Sequence, residues 1–301
     1  MSNVEKEFTP VGSVGGDTIP PALLFEMTRS FVTLSRTLNL SHAVKEMGTT
    51  RQTLRRHITL LEEALGFDLF TITDRRYSLT ENALRALPVA QEILALGTLW
   101  IQGKATSHQG LSTLAVDDDE DWFFYQQQQP MSSIWDSRSK LLRAAVSAWS
   151  ASGGELESPE MQAVRPYMLV YRESPNGWIC VEVGESSIFT QWWGWANARS
   201  SIGRPLNQLP GGDELALLME VPLREVRATH GMRLDQVVTK MPRSSGAPPQ
   251  VIVFDRLLLG ARFPDGSFAL ISVVDRPGSI AIDGLEPSIL KEMPEDVKTD
   301  F

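Results

Sequence analysis

Arg51, Arg55, Arg56, Arg75 and Arg76 fall within 26 residues, with Gln52 among them. Guanidinium groups stay charged at any physiological pH and present a planar fork of donors, so such a cluster suits oxygen-rich anions. Gln52 adds an amide that donates and accepts at once. This is the chemistry of recognition: gripping a polyanion and reading polar edges beside it. The surrounding charge agrees. Residues 1–105 carry 11 acidic and 11 basic side chains, while 106–301 carry 26 acidic and 17 basic, so the whole net charge of −9 lies in the distal part. A neutral segment with local arginines can hold a polyanion, and an acidic distal part keeps that contact at the N-terminal end.

Residue types that would support catalysis do not assemble. Ser137-Arg-Ser-Lys140 has the Ser-x-x-Lys spacing of a serine acylase, but neither Ser-Asp-Asn nor Lys-Thr-Gly accompanies it. There is no Gly-x-Ser-x-Gly, no glycine-rich phosphate loop and no His-Glu-x-x-His. Four scattered histidines give no metal spacing, and the acidic run Asp117–Asp121 has no second cluster to complete a ligand set. No cofactor, metal or enzyme activity is implied. The 42% hydrophobic and 22% charged fractions over 301 residues suit a globular chain of two domains. The single cysteine, Cys180, cannot form an internal disulfide. With neither a signal-like N-terminus nor an uncharged apolar run of membrane-spanning length, the expected location is cytoplasmic.

The arginines need elements to position them. Leu24, Met27, Phe31 and Leu34 recur at helical spacing. Ser41 is expected to cap a short helix through Met47, Gly48 supplies a turn, and Thr50 caps the next helix, whose apolar stripe is Leu54, Ile58, Leu61 and Leu65. Gly66 ends it, and an extended hairpin follows to Leu79. With the stripe turned inward, a 100° step per residue puts Gln52, Arg56 and Thr59 on the opposite face, flanked by Arg51 and Arg55. A further helix from Glu81 to Ile101 carries apolar residues on more than one face, which suits packing on its own domain and on a second chain.

Helix, turn, helix and a basic hairpin form the pattern of a winged helix-turn-helix, and the residues resemble the N-terminal domain of LysR-type transcriptional regulators. Ser41-His-Ala43-Val44-Lys-Glu-Met47-Gly48 looks like that family's second helix, and Thr50-Arg51-Gln52-Thr53-Leu54-Arg55-Arg56-His57-Ile58 like its recognition helix. Leu61-Glu62-Glu63-Ala64-Leu65-Gly66-Phe67-Asp68-Leu69-Phe70 and Leu79-Thr80-Glu81 resemble the tail and wing exit, and Leu84-Arg-Ala-Leu87-Pro88 the linker helix. The resemblance implies double-stranded DNA as partner, a homodimer through residues 81–102, and DNA contacts from Thr50, Arg51, Gln52, Thr53, Arg55, Arg56, Thr59, Arg75 and Arg76. Thr50-Arg51 stands where the family usually has Ser-Gln, Arg55 where it has Ser, and Ile72 where an arginine is common. The alternative is a signalling or scaffold protein whose winged helix serves dimerisation or protein contact.

The distal part lacks the repeated βαβ units of the family's usual periplasmic-binding-protein-like domain. Strand-like runs at Tyr167–Arg172 and Trp178–Val183 flank a Ser174-Pro175-Asn176-Gly177 turn. A helical middle from Ser187 to Thr229 follows, then strands at Leu234–Lys240, Val251–Ala261 and Phe268–Asp275. This order, with Ile202-Gly203-Arg204-Pro205-Leu206 closing the helical side, resembles a PAS domain, which implies a small-molecule ligand or a partner. Trp192, Trp193 and Trp195, with Asn197 and Arg199, are the candidate ligand pocket, although tryptophans against a sheet are more often plain core. His230 reads as a surface or cap residue and Cys180 as a buried thiol.

The expected organisation is a flexible tail at 1–20, a mainly α winged helix-turn-helix at 21–80, a linker and dimerisation helix at 81–102, an acidic and Gln-rich linker at 103–135, and an α+β, antiparallel-sheet, PAS-like domain at 136–301.

Overall fold

A computed structural model describes residues 23–73, 76–119, 122–136, 139–174, 177–209, 212–244 and 246–301. The tail at 1–20, Arg75, Ser137 and the central turn residues Pro175 and Asn176 lie outside the described residues. Two compact units divide at Ala90 and Gln91.

In the first unit, α1 (Leu24–Thr37), α2 (Leu40–Met47) and α3 (Arg51–Leu65) precede a two-stranded hairpin, β1 (Phe70–Thr73) and β2 (Arg76–Leu79), and the start of α4 (Glu81–Ile101). Met27, Phe31 and Leu34 of α1 meet Leu54, Ile58 and Leu61 of α3 in one core. Phe70 joins it edge-on to both Phe31 and Tyr77, with ring centres 5.9 and 5.7 Å apart. The cap of α2 is Asn39, not Ser41: its Oδ1 accepts from the amides of Ser41 and His42 at 2.9 and 3.2 Å. Asparagine caps as well as serine and comes first in the chain, so the helix starts at Leu40. Leu65 was expected on the buried stripe but is 41% exposed; it is the last residue of α3, where the apolar face runs out beyond Leu61. Gly48 and Gly66 take positive φ, 62° and 76°, and so end their helices at little steric cost.

The second unit is built on an eight-stranded, wholly antiparallel sheet. After the rest of α4 come β3 (Ala105–His108), β4 (Leu111–Asp119) and β5 (Trp122–Gln129), then α5 (Ser133–Asp136) and α6 (Lys140–Ala151). Next are β6 (Met168–Ser174), β7 (Gly177–Val183), α7 (Ile188–Trp193), α8 (Trp195–Arg199) and α9 (Gly212–Thr229), and finally β8 (Met232–Pro242), β9 (Pro249–Arg262) and β10 (Phe268–Asp275). The spatial order is β3-β4-β5-β8-β9-β10-β6-β7.

Residues 103–135, expected to be a solvated linker, supply three strands of this sheet and the short helix α5. The Gln tract lies on β5, register-paired with β8, and Gln126 and Gln127 are buried. Composition marks such a tract as a spacer, but the two buried amides find partners far away in sequence. Gln126 donates to Asp235 and accepts from Arg256, and Gln127 accepts from the amide of Asp283 at 2.8 Å. A satisfied amide costs little to bury, which a local reading of composition cannot register.

Both faces of the sheet are covered, which is why β9 and β10 read as near-continuous apolar runs. On one face, Leu141, Leu142 and Ala145 of α6 pack on Val170, Leu257 and Ile271. On the other, Leu223 and Val226 of α9 pack on Leu169, Leu258 and Leu270. Ala95 and Leu99 of α4 lie in a cluster with Leu114, Phe124 and Leu218. Burial raises the Cys180 thiol to about 12, so it is a core group. His230 is exposed, within 3.1 Å of Arg227.

Candidate nucleic-acid interface and a buried cavity

The outer face of α3 carries the cluster. Arg51, Gln52, Arg55, Arg56 and Thr59 are exposed, while Leu54, Ile58 and Leu61 anchor the opposite face. Thr50 caps the helix, its Oγ1 accepting from the Thr53 amide at 3.1 Å and lying 2.9 Å from the Thr53 hydroxyl. No acidic residue occupies the first turn, so the positive end of the helix dipole is unopposed beside Arg51. Arg51 donates to the Ser41 hydroxyl at 2.9 Å, which ties it back to α2. Arg55 and Arg56 make no ion pair or hydrogen bond among the described residues, so both guanidinium groups face water. Arg76 opens β2 and is exposed opposite Thr73; Ile72 on β1 is 62% exposed.

Two residues that hold this face escaped the sequence reading. His57 is buried on the inner side of α3, with Nδ1 2.8 Å from the Ser30 hydroxyl. That hydroxyl gives its proton to the Glu26 carbonyl at 2.7 Å, so His57 Nδ1 must carry a hydrogen and donate. Glu62 accepts from the amides of Leu69 and Phe70 at 2.8 and 3.4 Å, which fixes the start of the wing to the end of α3. A histidine and a glutamate inside an apolar stripe are the available signal, but their partners lie 27 and 7 residues away in sequence.

The candidate ligand residues separate. Trp192 and Trp193 are buried and line a cavity of about 120 Å³ between α7, α9 and the sheet. Trp195, Asn197 and Arg199 do not line it: they sit exposed on α8, and the Asn197 amide is spent on the Trp193 carbonyl at 3.0 Å. Gly194, with φ 74°, breaks the helix between the two sets, so the closeness of the tryptophans in sequence does not place them on one face. Sequence reading missed the charged residue in the cavity's lining, Arg256, which is 1% exposed. Its Nη2 donates to Gln126 and Asp235 at 2.8 and 3.0 Å. Asp235 is shared with the equally buried Arg233, which also pairs with Glu225. Among the described residues, no group of His, Cys, Asp and Glu could hold a metal ion.

Residues 25–84 match the bacterial regulatory helix-turn-helix protein, lysR family. A stretch of 90 residues is 34% identical to the uncharacterised HTH-type transcriptional regulator YbhD of Escherichia coli (strain K12), covering 29% of this chain and 28% of that protein. Among solved structures, the oxidised form of Corynebacterium glutamicum OxyR is 20% identical over 29% of this chain and 28% of its own, with a TM-score of 0.27. A CbnR DNA-binding domain in complex with DNA is 24% identical over 26% of this chain and 91% of its own, with a TM-score of 0.25. The chain thus spans little more than a quarter of the length of the curated relative it matches. The similarity to the lysR family lies in the N-terminal unit, over residues 25–84.

Proposed function

We propose that the chain is a sequence-specific, homodimeric, DNA-binding transcriptional regulator whose second domain adjusts DNA binding through a ligand or partner. The carrying observation is the outer face of α3: Gln52, Arg55, Arg56 and Thr59 stand exposed on a helix anchored from behind. That is what a recognition helix needs to enter a major groove. Arg can bridge guanine O6 and N7, and Gln can pair with adenine N6 and N7, each worth about 1–3 kcal/mol of discrimination. Thr50, Thr53 and Arg51 hold the helix N-terminus at the backbone, and Arg75 and Arg76 grip phosphate from the wing.

Dimerisation through residues 81–102 is supported by a stripe on α4. Val89, Ile93, Leu96 and Trp100 recur at spacings of four, three and four and are 57%, 45%, 45% and 70% exposed. That alternation of four and three suits a coiled-coil seam. By length and composition α4 could also cross a bilayer, but Ala83, Ala95 and Leu99 are buried in protein cores, and work on DNA implies the cytoplasm. Changing Leu96 to Asp is expected to turn the dimer into a monomer, as read by sedimentation.

A PAS-like reading of the second domain is supported by the β6–β7 hairpin, the helices α7 to α9, and the meander β8–β9–β10 that closes back on β6. The segment at Ile202–Leu206 lies against β7, where the Gly203 amide donates to the Cys180 carbonyl at 2.8 Å. Strands β3 to β5 extend the sheet beyond β8. The test is affinity selection of genomic fragments from the source organism. A dyad-symmetric motif with half-sites about one helical turn apart, or a multiple of it, is the expected result. Random fragments alone would favour a winged helix kept for protein contact.

A further inference from the structure

The cavity beside Trp192 and Trp193 has a mainly apolar lining. Phe189, Leu209, Ile252 and Phe254 contribute to its wall, and Arg256, Tyr171 and Ser272 supply polar groups. Arg256 is incompletely partnered: its Nε is buried without a hydrogen-bond partner, and Nη1 meets only the thioether of Met219, a weak acceptor and itself part of the wall. The hydroxyls of Tyr171 and Ser272 make no hydrogen bond among the described residues. A buried donor without an acceptor carries its full desolvation cost, and the cost is larger when the donor is charged. One buried, unpartnered, charged donor in the wall of an apolar space, with two hydroxyl-bearing residues in the same lining, constitutes a recognition pattern.

Charge decides what completes it. The fully buried ionic groups here are Arg233, Asp235 and Arg256, two cations to one anion. Glu225 balances Arg233 from the surface side, which leaves Arg256 with only a share of Asp235. A neutral apolar occupant would leave Nε unpaired, whereas a carboxylate oxygen would accept from Nε and add the negative charge that the site lacks. Volume sets the rest. A cavity of about 150 Å³ accommodates benzene, so about 120 Å³ beside a flexible methionine admits one ring or a short branched chain.

We infer that this cavity binds a small apolar monocarboxylate, its hydrocarbon body between Trp192, Leu209 and Phe254 and its carboxylate on Arg256. This rests on the proposal that a ligand of the second domain adjusts DNA binding.

The experiment is calorimetric titration of the full chain with benzoate, cyclohexanecarboxylate and hexanoate, with toluene as the uncharged control. At least one acid should bind saturably, one per chain, and at least tenfold tighter than toluene. Ala216→Phe, which fills the cavity from α9, should abolish that binding, and Arg256→Lys should weaken it at least tenfold. No saturation by any of the acids, or toluene binding as tightly as they do, would overturn the inference without any variant. Equal acid binding by a folded Ala216→Phe protein would overturn it too. DNA binding measured on the same preparations without acid separates the two ideas. A protein that selects its DNA but binds no acid loses only the cavity assignment. One that binds acid but no DNA loses the regulator reading.

Discussion

The two domains use arginine in opposite ways. In the first, Arg55 and Arg56 stand in water on α3 with no partner among the described residues. In the second, Arg233 and Arg256 are each 1% exposed and share one carboxylate, Asp235. An exposed guanidinium contributes little to its own fold and is free to bind something else. A buried one is tied into the fold, and removing it strands its partner. The lesson is that residue type alone does not separate a reading head from a structural clamp; the ions that surround it do.

The sharpest way to break the comparison is to remove one arginine from each set. Arg233→Ala should cost about 3–5 kcal/mol in denaturant unfolding of the second domain, because Asp235 loses a partner where water cannot replace it. Leu54→Ala, at a fully buried position of α3, should cost roughly 2–5 kcal/mol in the first domain. Asp255 gives a pH handle on the second domain. Burial raises its carboxyl to about 6, with Asp275 adding to the rise and a hydrogen bond from Gln236 opposing it. The folded state therefore holds this proton more tightly than the unfolded chain does. Stability from this group is fullest below about pH 4 and falls as pH rises to about 6. Asp255→Asn should flatten that slope and raise stability at pH 7 by on the order of 2 kcal/mol, as read from melts across pH. Asn39→Ala should cost about 1 kcal/mol by removing the α2 cap. Arg56→Ala should change stability by less than about 0.5 kcal/mol.

The same contrast explains what could be read from sequence. The first domain was legible because its signals are local: a cap at Thr50, a stop at Gly66, a stripe at Leu54, Ile58 and Leu61, and arginines within one helix. It failed where two nearby residues competed, as Asn39 did with Ser41. In the second domain the hairpins and the late strands were legible from turn residues and apolar runs. The stretch from 103 to 135 was not. Gln126 is buried because Arg256 and Asp235, more than 100 residues away, satisfy it. The tryptophan cluster was half informative, since Gly194 turns Trp195 away from Trp193 and sequence spacing does not show that bend.

The most direct test of the central claim is a titration of a selected genomic site with wild-type protein and Arg56→Ala, each from about 50 to 200 mM salt. Wild-type affinity should fall by orders of magnitude across that range, as counterion release requires. Arg56→Ala should bind at least fivefold more weakly and lose preference at one base position, with an unchanged melting curve. Equal affinity of the two proteins, or an affinity indifferent to salt, would contradict the assignment of the outer face of α3 to DNA.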